Sequence, residues 1–304
     1  MVQQDNAKLI NGVLRLINQQ RNGEIIDQGL VKKVIGSLVS LGLDPKDPNK
    51  VCLDVYQEHF ETPFIVGTVQ YYKKESAMFI AKNSMSDYLK EAEDRLREEE
   101  DLVQRSLCTN TRNELIAKCE HVLIREHAEL MLGSFQSLLD YDKEEDLRRM
   151  HTLLSRISEG LEPLRKRFEA HVKQAGLSAI SKLIGQDENA DSLDPKAYVD
   201  ALLKVHLKYS EIVNSSFKGE AGFEASFDKA CREFVNRNAA TGGTSSAQSS
   251  GLIAKYADML LRKNSKVANE GDLEGKLGRV VSATLFPCSV RLLSTIIGDT
   301  LQVS

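Results

Sequence analysis

Two cysteines and two histidines come closest to forming a metal site: Cys108, Cys119, His121 and His127. Zinc-binding folds supply ligands in pairs that lie two to four residues apart within a turn. Cys119 and His121 are two residues apart in a segment with helical periodicity, so their side chains point about 200° apart around the helix axis. We therefore interpret the four as structural residues, and the sequence predicts no metal ligands.

Residues 271–277 resemble a phosphate-binding loop without completing it. Gly271 and Gly275-Lys276 match the P-loop pattern, but their spacing is one residue short, and Leu277 stands where a hydroxyl must reach magnesium. The chain also contains no Gly-x-Gly-x-x-Gly, Gly-x-Ser-x-Gly or His-Glu-x-x-His pattern. The sequence therefore predicts no nucleotide site, no serine nucleophile and no zinc-hydrolase helix.

The other histidines also lie in segments with helical periodicity: His59, His151, His171 and His206. Each is isolated from the nucleophile or second base that catalysis would need, so we interpret them as core or boundary residues. Acidic residues are plentiful, but no pair stands apart from the charged helix faces. The sequence predicts a non-catalytic protein with no catalytic, cofactor-binding or metal-binding residues and no cofactor.

The elements that carry these residues are helices throughout the first 238 residues, where apolar residues recur every three to four positions. The predicted fold class is all-α. Asn22-Gly23 ends the first helix, Asp27 is the predicted N-cap of the second, and Gly42 ends the second. Further helices are predicted at 127–139, 143–158, 161–184, 222–236 and 251–263, with one more after Asp194.

Three local signals predict how particular helices begin. Pro63 lacks a backbone donor, so the segment 50–82 is expected to kink there or to restart with Thr62 as a cap. Residues 111–114, Thr-Arg-Asn-Glu, match a capping box. Asp194-Pro195 combines an N-cap with a proline at the first helical position.

Residues 85–108 predict a highly charged helix with a narrow apolar stripe, formed by Met85, Leu89, Ala92, Leu96, Val103 and Leu107. We interpret the charges around the stripe as a solvated outer face with i,i+4 ion pairs, each worth roughly 0.2–0.5 kcal/mol. An acidic docking patch for a basic partner is the alternative.

Composition narrows the class of protein. The chain has 304 residues, a formal net charge of −4, 28% charged residues, 6% aromatic residues and no tryptophan. A helical protein fits this profile, and the lack of a basic excess argues against a nucleic-acid partner. No apolar run is long enough to span a membrane, and five scattered cysteines fit free thiols in a reducing compartment, so we expect the cytoplasm and nucleus.

Several segments resemble the cullin family. Residues 227–236, Phe-Asp-Lys-Ala-Cys-Arg-Glu-Phe-Val-Asn, are similar to the cullin phrase FxxALDKACxxFIN. The other matching segments follow in the family's order: 8–41, 53–75, 118–142, 194–196, 205–209 and 252–263. The resemblance covers about residues 7–280 and is closest to the cullin of the SCF ligases.

The resemblance implies an elongated stalk of stacked five-helix cullin repeats. By register, the second repeat would occupy 1–142, the third 143–238, a flexible linker 239–250, the start of the cullin-homology domain 251–281 and an atypical tail 282–304. It also implies a function, namely a rigid, non-catalytic scaffold of an SCF-type ubiquitin ligase in ubiquitin-dependent protein catabolism. The implied partners of the parent protein are an F-box adaptor, a RING protein and a helical-repeat exchange factor.

The sequence departs from the family pattern at both ends. Met1 falls where the second repeat would begin, and the pattern is lost near Val280. We therefore expect the adaptor-binding first repeat and the RING-binding domain to be absent. We expect a read-through intron or an altered reading frame to explain the tail, and an uncovered apolar face to cause limited solubility or self-association. A helical tethering subunit of the exocyst type is the alternative function.

Overall fold

The computed structural model describes residues 2–42, 52–184, 193–238, 240 and 247–261. Two predictions made above, the phosphate-loop resemblance at 271–277 and the atypical tail, lie outside the described residues. Within them every regular element is a helix, which confirms the all-α class: α1 Val2–Arg21, α2 Gln28–Leu41, α3 Asp54–Tyr56, α4 Thr62–Ile80, α5 Met85–Ser106, α6 Thr111–Leu123, α7 Ala128–Asp140, α8 Glu144–Leu154, α9 Leu161–Ile184, α10 Pro195–Ser215, α11 Ala221–Asn236 and α12 Ala247–Leu261.

The chain divides into two compact units. The first unit comprises Met1–Ser134 and Arg149–Gly160, and the second comprises Phe135–Arg148 and Leu161–Ser304. This division reflects which residues pack against each other, whereas the boundary predicted at 142/143 comes from the alignment with the cullin repeats. The predicted repeat boundaries therefore stay predictions.

In the first unit, the helix ends predicted for α1 and α2 are confirmed. The chain leaves α1 through Gly23, whose φ of 85° lies in the left-handed region that favours glycine. Asp27 caps α2, because its Oδ1 accepts a hydrogen bond from the backbone N–H of Leu30 at 3.0 Å. α2 ends before Gly42, which has an extended conformation.

The segment around Pro63 differs from the prediction. A π-helical turn over Gln57–Glu61 joins α3 to α4, and Thr62 keeps helical φ and ψ, so Thr62 does not cap a new helix. The backbone N–H of Thr62 bonds to the carbonyl of Gln57, five residues earlier. This wider turn absorbs the missing donor and the bulk of Pro63 while the chain remains helical.

The capping box was predicted at the wrong helix. Thr111 is already helical and fully buried, and its hydroxyl lies 2.7 Å from that of Tyr56, so it does not cap α6. The capping box is at α5, where Ser84 Oγ accepts from the N–H of Asp87 and the Asp87 carboxylate accepts from the N–H of Ser84. Thr111 is buried against Tyr56 instead of capping α6, and a local sequence pattern cannot predict such a long-range contact.

Several large apolar side chains of α1, α2 and the segment between them are exposed: Leu9, Ile25, Leu30 and Leu41. Ile25 is fully exposed. Exposed apolar side chains of this kind are what an uncovered apolar face would consist of. The self-association expected from the sequence stays a prediction.

In the second unit, α9, α10 and α11 surround an aromatic core. Asp194 caps α10 through the N–H groups of Lys196 and Ala197, as predicted from Asp194-Pro195. The predicted apolar face of α11 is confirmed at six buried positions: Phe223, Phe227, Ala230, Cys231, Phe234 and Val235. α12 begins at Ala247, so the last four residues of the predicted linker are helical.

The close approach of α9 and α11 depends on one glycine. A Cβ atom added to Gly176 would lie 2.3 Å from the ring of Phe234. Because real Cβ atoms do not come so close to a neighbour, only glycine fits here without a shift of the ring or of a helix. Gly176 therefore fixes the packing of the two helices that carry most of this core.

Candidate functional site

The four residues weighed above as metal ligands have separate surroundings. Cys119 is buried in α6, where burial raises the pKa of its thiol, and His121 is exposed near Glu126. His127 Nε2 lies 3.1 Å from Ser76 Oγ. Cys108 is half-buried after the end of α5. Within the described residues, no group of three or more His, Cys, Asp or Glu side chains is placed to hold a metal ion.

The isolated histidines were predicted to be core or boundary residues. This is confirmed for His151, which is buried, and for His171 and His206, which are half-buried. It is wrong for His59, which is exposed on the π-helical turn. The buried apolar residue of that turn is Phe60, one residue further on.

A buried polar centre joins three helices of the first unit, and it consists of Arg21 from α1, Thr68 and Tyr72 from α4, and Glu99 from α5. Arg21 donates to both carboxylate oxygens of Glu99, at 2.7 and 3.0 Å. Arg21 also donates to Thr68 Oγ1 at 2.8 Å, and the Tyr72 hydroxyl donates to Glu99 at 2.6 Å. This bidentate geometry with extra donors is what a buried ion pair needs to offset the loss of water.

Aromatic rings enclose the guanidinium of Arg21. Its central carbon lies 5.5 Å from the ring centre of Phe64, 5.4 Å from that of Tyr71 and 5.3 Å from that of Tyr72. Burial disfavours the charge of Arg21, but the Glu99 carboxylate outweighs burial and raises the pKa of Arg21. Burial also raises the pKa of Tyr72 well above its usual value, so Tyr72 stays protonated as a donor.

This centre was not predicted from the sequence, because every acid of α5 was assigned to the solvated face. Glu99 is only 1% exposed. Its spacing from Leu96 and Val103 places it on the apolar stripe, and this was the available signal. An acid on such a stripe indicates a buried partner, but the partner, Arg21, is 78 residues away in the sequence.

The outer charges of α5 form ion pairs within the chain. The predicted i,i+4 pairs occur, for example between Arg95 and Glu91 at 2.9 Å. Two other acids of α5 form ion pairs with arginines from elsewhere in the first unit: Arg149 lies 3.3 Å from Glu93, and Arg156 lies 3.3 Å from Glu100. These pairs support the solvated-face interpretation over an acidic docking patch.

The second unit contains an open groove of about 580 Å³, here called the α9 groove. It is lined by Gln136 and Asp140 of α7, by Arg167, Ala170, His171, Gln174, Ala175 and Ser178 of α9, and by Tyr209 of α10. The α9 residues recur every three to four positions, so they form one face over three turns of the helix. This groove was not predicted from the sequence, in which His171 is an isolated histidine.

A chain of hydrogen bonds crosses the α9 groove. Gln136 Nε2 lies 3.1 Å from Asp140 Oδ1 and 2.7 Å from His171 Nδ1. His171 Nε2 lies 2.7 Å from the Tyr209 hydroxyl. Burial lowers the pKa of His171, more strongly than Asp140 raises it, and burial raises the pKa of Tyr209 to about 12. At neutral pH the imidazole is therefore uncharged and the phenol is protonated.

Within the described residues, no helix is both long enough and apolar enough to cross a membrane. The buried polar centre pairs Arg21 with Glu99, and the α9 groove pairs His171 with Tyr209. Both are groups of helix-borne side chains whose hydrogen bonds hold neighbouring helices together.

Comparison with known proteins defines the class. The family model described as the cullin alpha solenoid domain matches residues 1–287, so the chain belongs to the cullin family. The match includes the first residues of the segment predicted as an atypical tail. Family membership confirms the resemblance seen in the sequence and leaves the tethering-subunit alternative without support.

Several of the similar curated proteins carry the name Cullin-1. The chain is 46% identical over 275 residues to Cullin-1 of Dictyostelium discoideum, and 40% identical over 273 residues to Cullin-1 of Schizosaccharomyces pombe, in each case over 90% of this chain. It is 32% identical over 287 residues to Cell division control protein 53 of Saccharomyces cerevisiae. The chain spans only about a third of these relatives, 35–36% of their length.

Proposed function

We propose that this chain is a scaffold segment of an SCF-type cullin-RING ubiquitin ligase and that it takes no covalent part in ubiquitin transfer. The observation that supports this most is the family match over residues 1–287, together with 46% identity to a Cullin-1. The proposed role is to hold a substrate receptor and a RING-bound conjugating enzyme at a defined separation within ubiquitin-dependent protein catabolism.

The packing within each unit suits that role. A scaffold raises the effective concentration of two bound proteins only if it does not bend freely between them. The buried polar centre locks α1, α4 and α5 together in the first unit, and Gly176 sets a close α9–α11 contact in the second. Both devices resist sliding of helices past each other.

The partners belong to the proposal as well. In the whole protein we propose an F-box adaptor, a RING protein and a helical-repeat exchange factor, with the cytoplasm and nucleus as the location. The formal net charge of −4 is in keeping with protein partners, since it offers no basic excess for nucleic acid.

A chimera tests the proposal. The segment of Dictyostelium discoideum Cullin-1 that this chain matches is replaced by this chain, and the chimera is assembled with adaptor, substrate receptor, RING protein and conjugating enzyme. We expect ubiquitin transfer to a receptor-bound substrate within about threefold of the parent rate, because the segment supplies geometry and no reacting group.

Two further measurements make the result decisive. Circular dichroism and size exclusion establish that the chimera folds, and pull-downs establish that it binds both the adaptor and the RING protein. A folded chimera that binds both proteins and yet transfers no ubiquitin would contradict the scaffold role. A thioester between ubiquitin and any cysteine of this segment, seen on a non-reducing gel, would contradict the non-catalytic role.

A further inference from the structure

A smaller cavity lies in the first unit, where the end of α1 and the start of α2 meet the last turns of α5, and it is here called the α5 cavity. Its volume is about 160 Å³, which is room for about five water molecules at about 30 Å³ each. It is lined by Gln20 of α1 and, on α5, by Glu98, Asp101, Leu102, Arg105 and Ser106. A space this small admits a few waters or one side chain, so the lining groups share one occupant.

Two polar groups of the α5 cavity have no hydrogen-bond partner within the described residues. Gln20 Oε1 is buried, and no donor of the described chain reaches it. Ser106 is only 4% exposed, and its hydroxyl likewise takes part in no hydrogen bond with a described residue. Buried polar groups are normally satisfied, and an amide oxygen can only accept. Both groups therefore indicate an occupant, and Gln20 requires that this occupant be a hydrogen-bond donor.

The charges around the α5 cavity favour a positively charged donor. Arg95 is shared by three carboxylates at 2.5–2.9 Å, those of Glu75, Glu91 and Glu98. Asp101 contacts Arg105 through Oδ2 alone, at 3.1 Å. Four acids thus share two arginines, and the two acids that line the cavity keep a local excess of negative charge. A cation in the cavity is attracted by this excess, whereas an anion is repelled.

The size of the cavity selects among cations. A lysine side chain has about five heavy atoms beyond Cα, the same as the number of waters for which the cavity has room. Its ammonium offers three donors and no acceptor, which suits Gln20 Oε1, the Ser106 hydroxyl and a carboxylate together. Its methylenes find an apolar wall in Leu102. We propose that the α5 cavity takes up one lysine side chain of a partner protein and binds its ammonium through Gln20 and Ser106.

Selection from a random peptide library tests this inference, which does not depend on the scaffold role. A phage-displayed library of twelve-residue peptides is panned on the immobilised chain, and fluorescein-labelled copies of the selected peptides are titrated by anisotropy. We expect the selected peptides to share a lysine. Replacing it with norleucine, which keeps the methylenes and removes the ammonium, should weaken binding about tenfold, because hydrogen bonds from a charged donor are lost. Replacing it with arginine should also weaken binding, because the larger side chain exceeds the cavity.

Variants of the chain locate the site. Gln20→Leu removes the buried acceptor with little change in volume, and Ser106→Ala removes only the hydroxyl. Each should weaken binding about tenfold, whereas Gln104→Leu, the same change at an exposed position of α5, should not. Thermal unfolding of each variant confirms that it is folded. Selection of no peptide, as expected of a cavity that holds only water, of peptides without a lysine, or of peptides that bind both cavity variants normally would overturn the proposal.

Discussion

The two units of this cullin segment differ in what lies at their centres. In the first, the buried ion pair of Arg21 and Glu99 joins three helices. In the second, Phe168, Phe217 and Phe223 pack with ring centres 4.1–5.7 Å apart, and the ion pair next to them, Arg165–Glu220, is partly exposed, with the guanidinium carbon 6.0 Å from the Phe223 ring centre. A charged centre specifies one arrangement and fails abruptly when one partner is lost, whereas an aromatic cluster loses stability in proportion to the volume removed.

The largest effect is expected from breaking the ion pair on one side. Arg21→Met keeps the length of the side chain but leaves the Glu99 carboxylate buried without its cation. We expect a loss of about 3–5 kcal/mol in the free energy of unfolding. Urea unfolding measures the loss, and hydrogen exchange should increase in α1, α4 and α5; a loss below about 1 kcal/mol would mean that Glu99 finds water or another partner.

Removing both charges should reverse most of that loss. The double variant Arg21→Met, Glu99→Leu replaces the pair with apolar side chains of similar volume, which is often close to neutral for a buried pair. We expect it to be more stable than Arg21→Met alone by about 2–4 kcal/mol, measured by the same urea titration. Equal stability of the single and double variants would show that the cavity, and not the uncompensated charge, causes the loss.

A smaller effect is expected in the second unit. Phe168→Leu removes part of one ring from the aromatic cluster without introducing a polar group. We expect a loss of about 1–2 kcal/mol in the free energy of unfolding. A loss as large as that of Arg21→Met would remove the distinction between the two cores.

The smallest effect concerns pH. Burial lowers the pKa of His206, whose ring packs on Phe227, so the folded chain binds its proton less readily than the unfolded chain does. Stability contributed by the neutral ring is complete above the unfolded pKa of about 6.5 and is lost as the pH falls below it. His206→Gln should therefore show a smaller loss of stability between pH 7.5 and pH 5.5; an unchanged pH dependence would contradict burial as the cause.

The sequence predicts the helices and their buried faces well, and long-range polar contacts poorly. The six apolar positions of α11 are all buried, because helical periodicity alone decides which face packs inward. Thr111 and Pro63 were misjudged because a tertiary contact with Tyr56 and a π-helical turn override the local signal. The Arg21–Glu99 pair joins residues 78 positions apart, a distance over which periodicity carries no information.

The same limit applies to the α9 groove. His171 and Tyr209 are 38 residues apart, and each looks like an ordinary core residue in its own helix. Only the packing of α7, α9 and α10 brings them together with Gln136. The family could be identified from short segments because their order along the chain is itself informative, whereas a site built across helices needs the fold.

We propose that the chain serves as a stiff cullin scaffold, and one measurement tests this claim most directly. Ubiquitin transfer is compared between the Cullin-1 chimera carrying Arg21→Met and the chimera carrying the double variant, with adaptor and RING binding verified for both. We predict that transfer falls with Arg21→Met and recovers with the double variant, in parallel with the hydrogen exchange of α1, α4 and α5. Full transfer by a chimera whose first unit is shown to be loosened would contradict the claim.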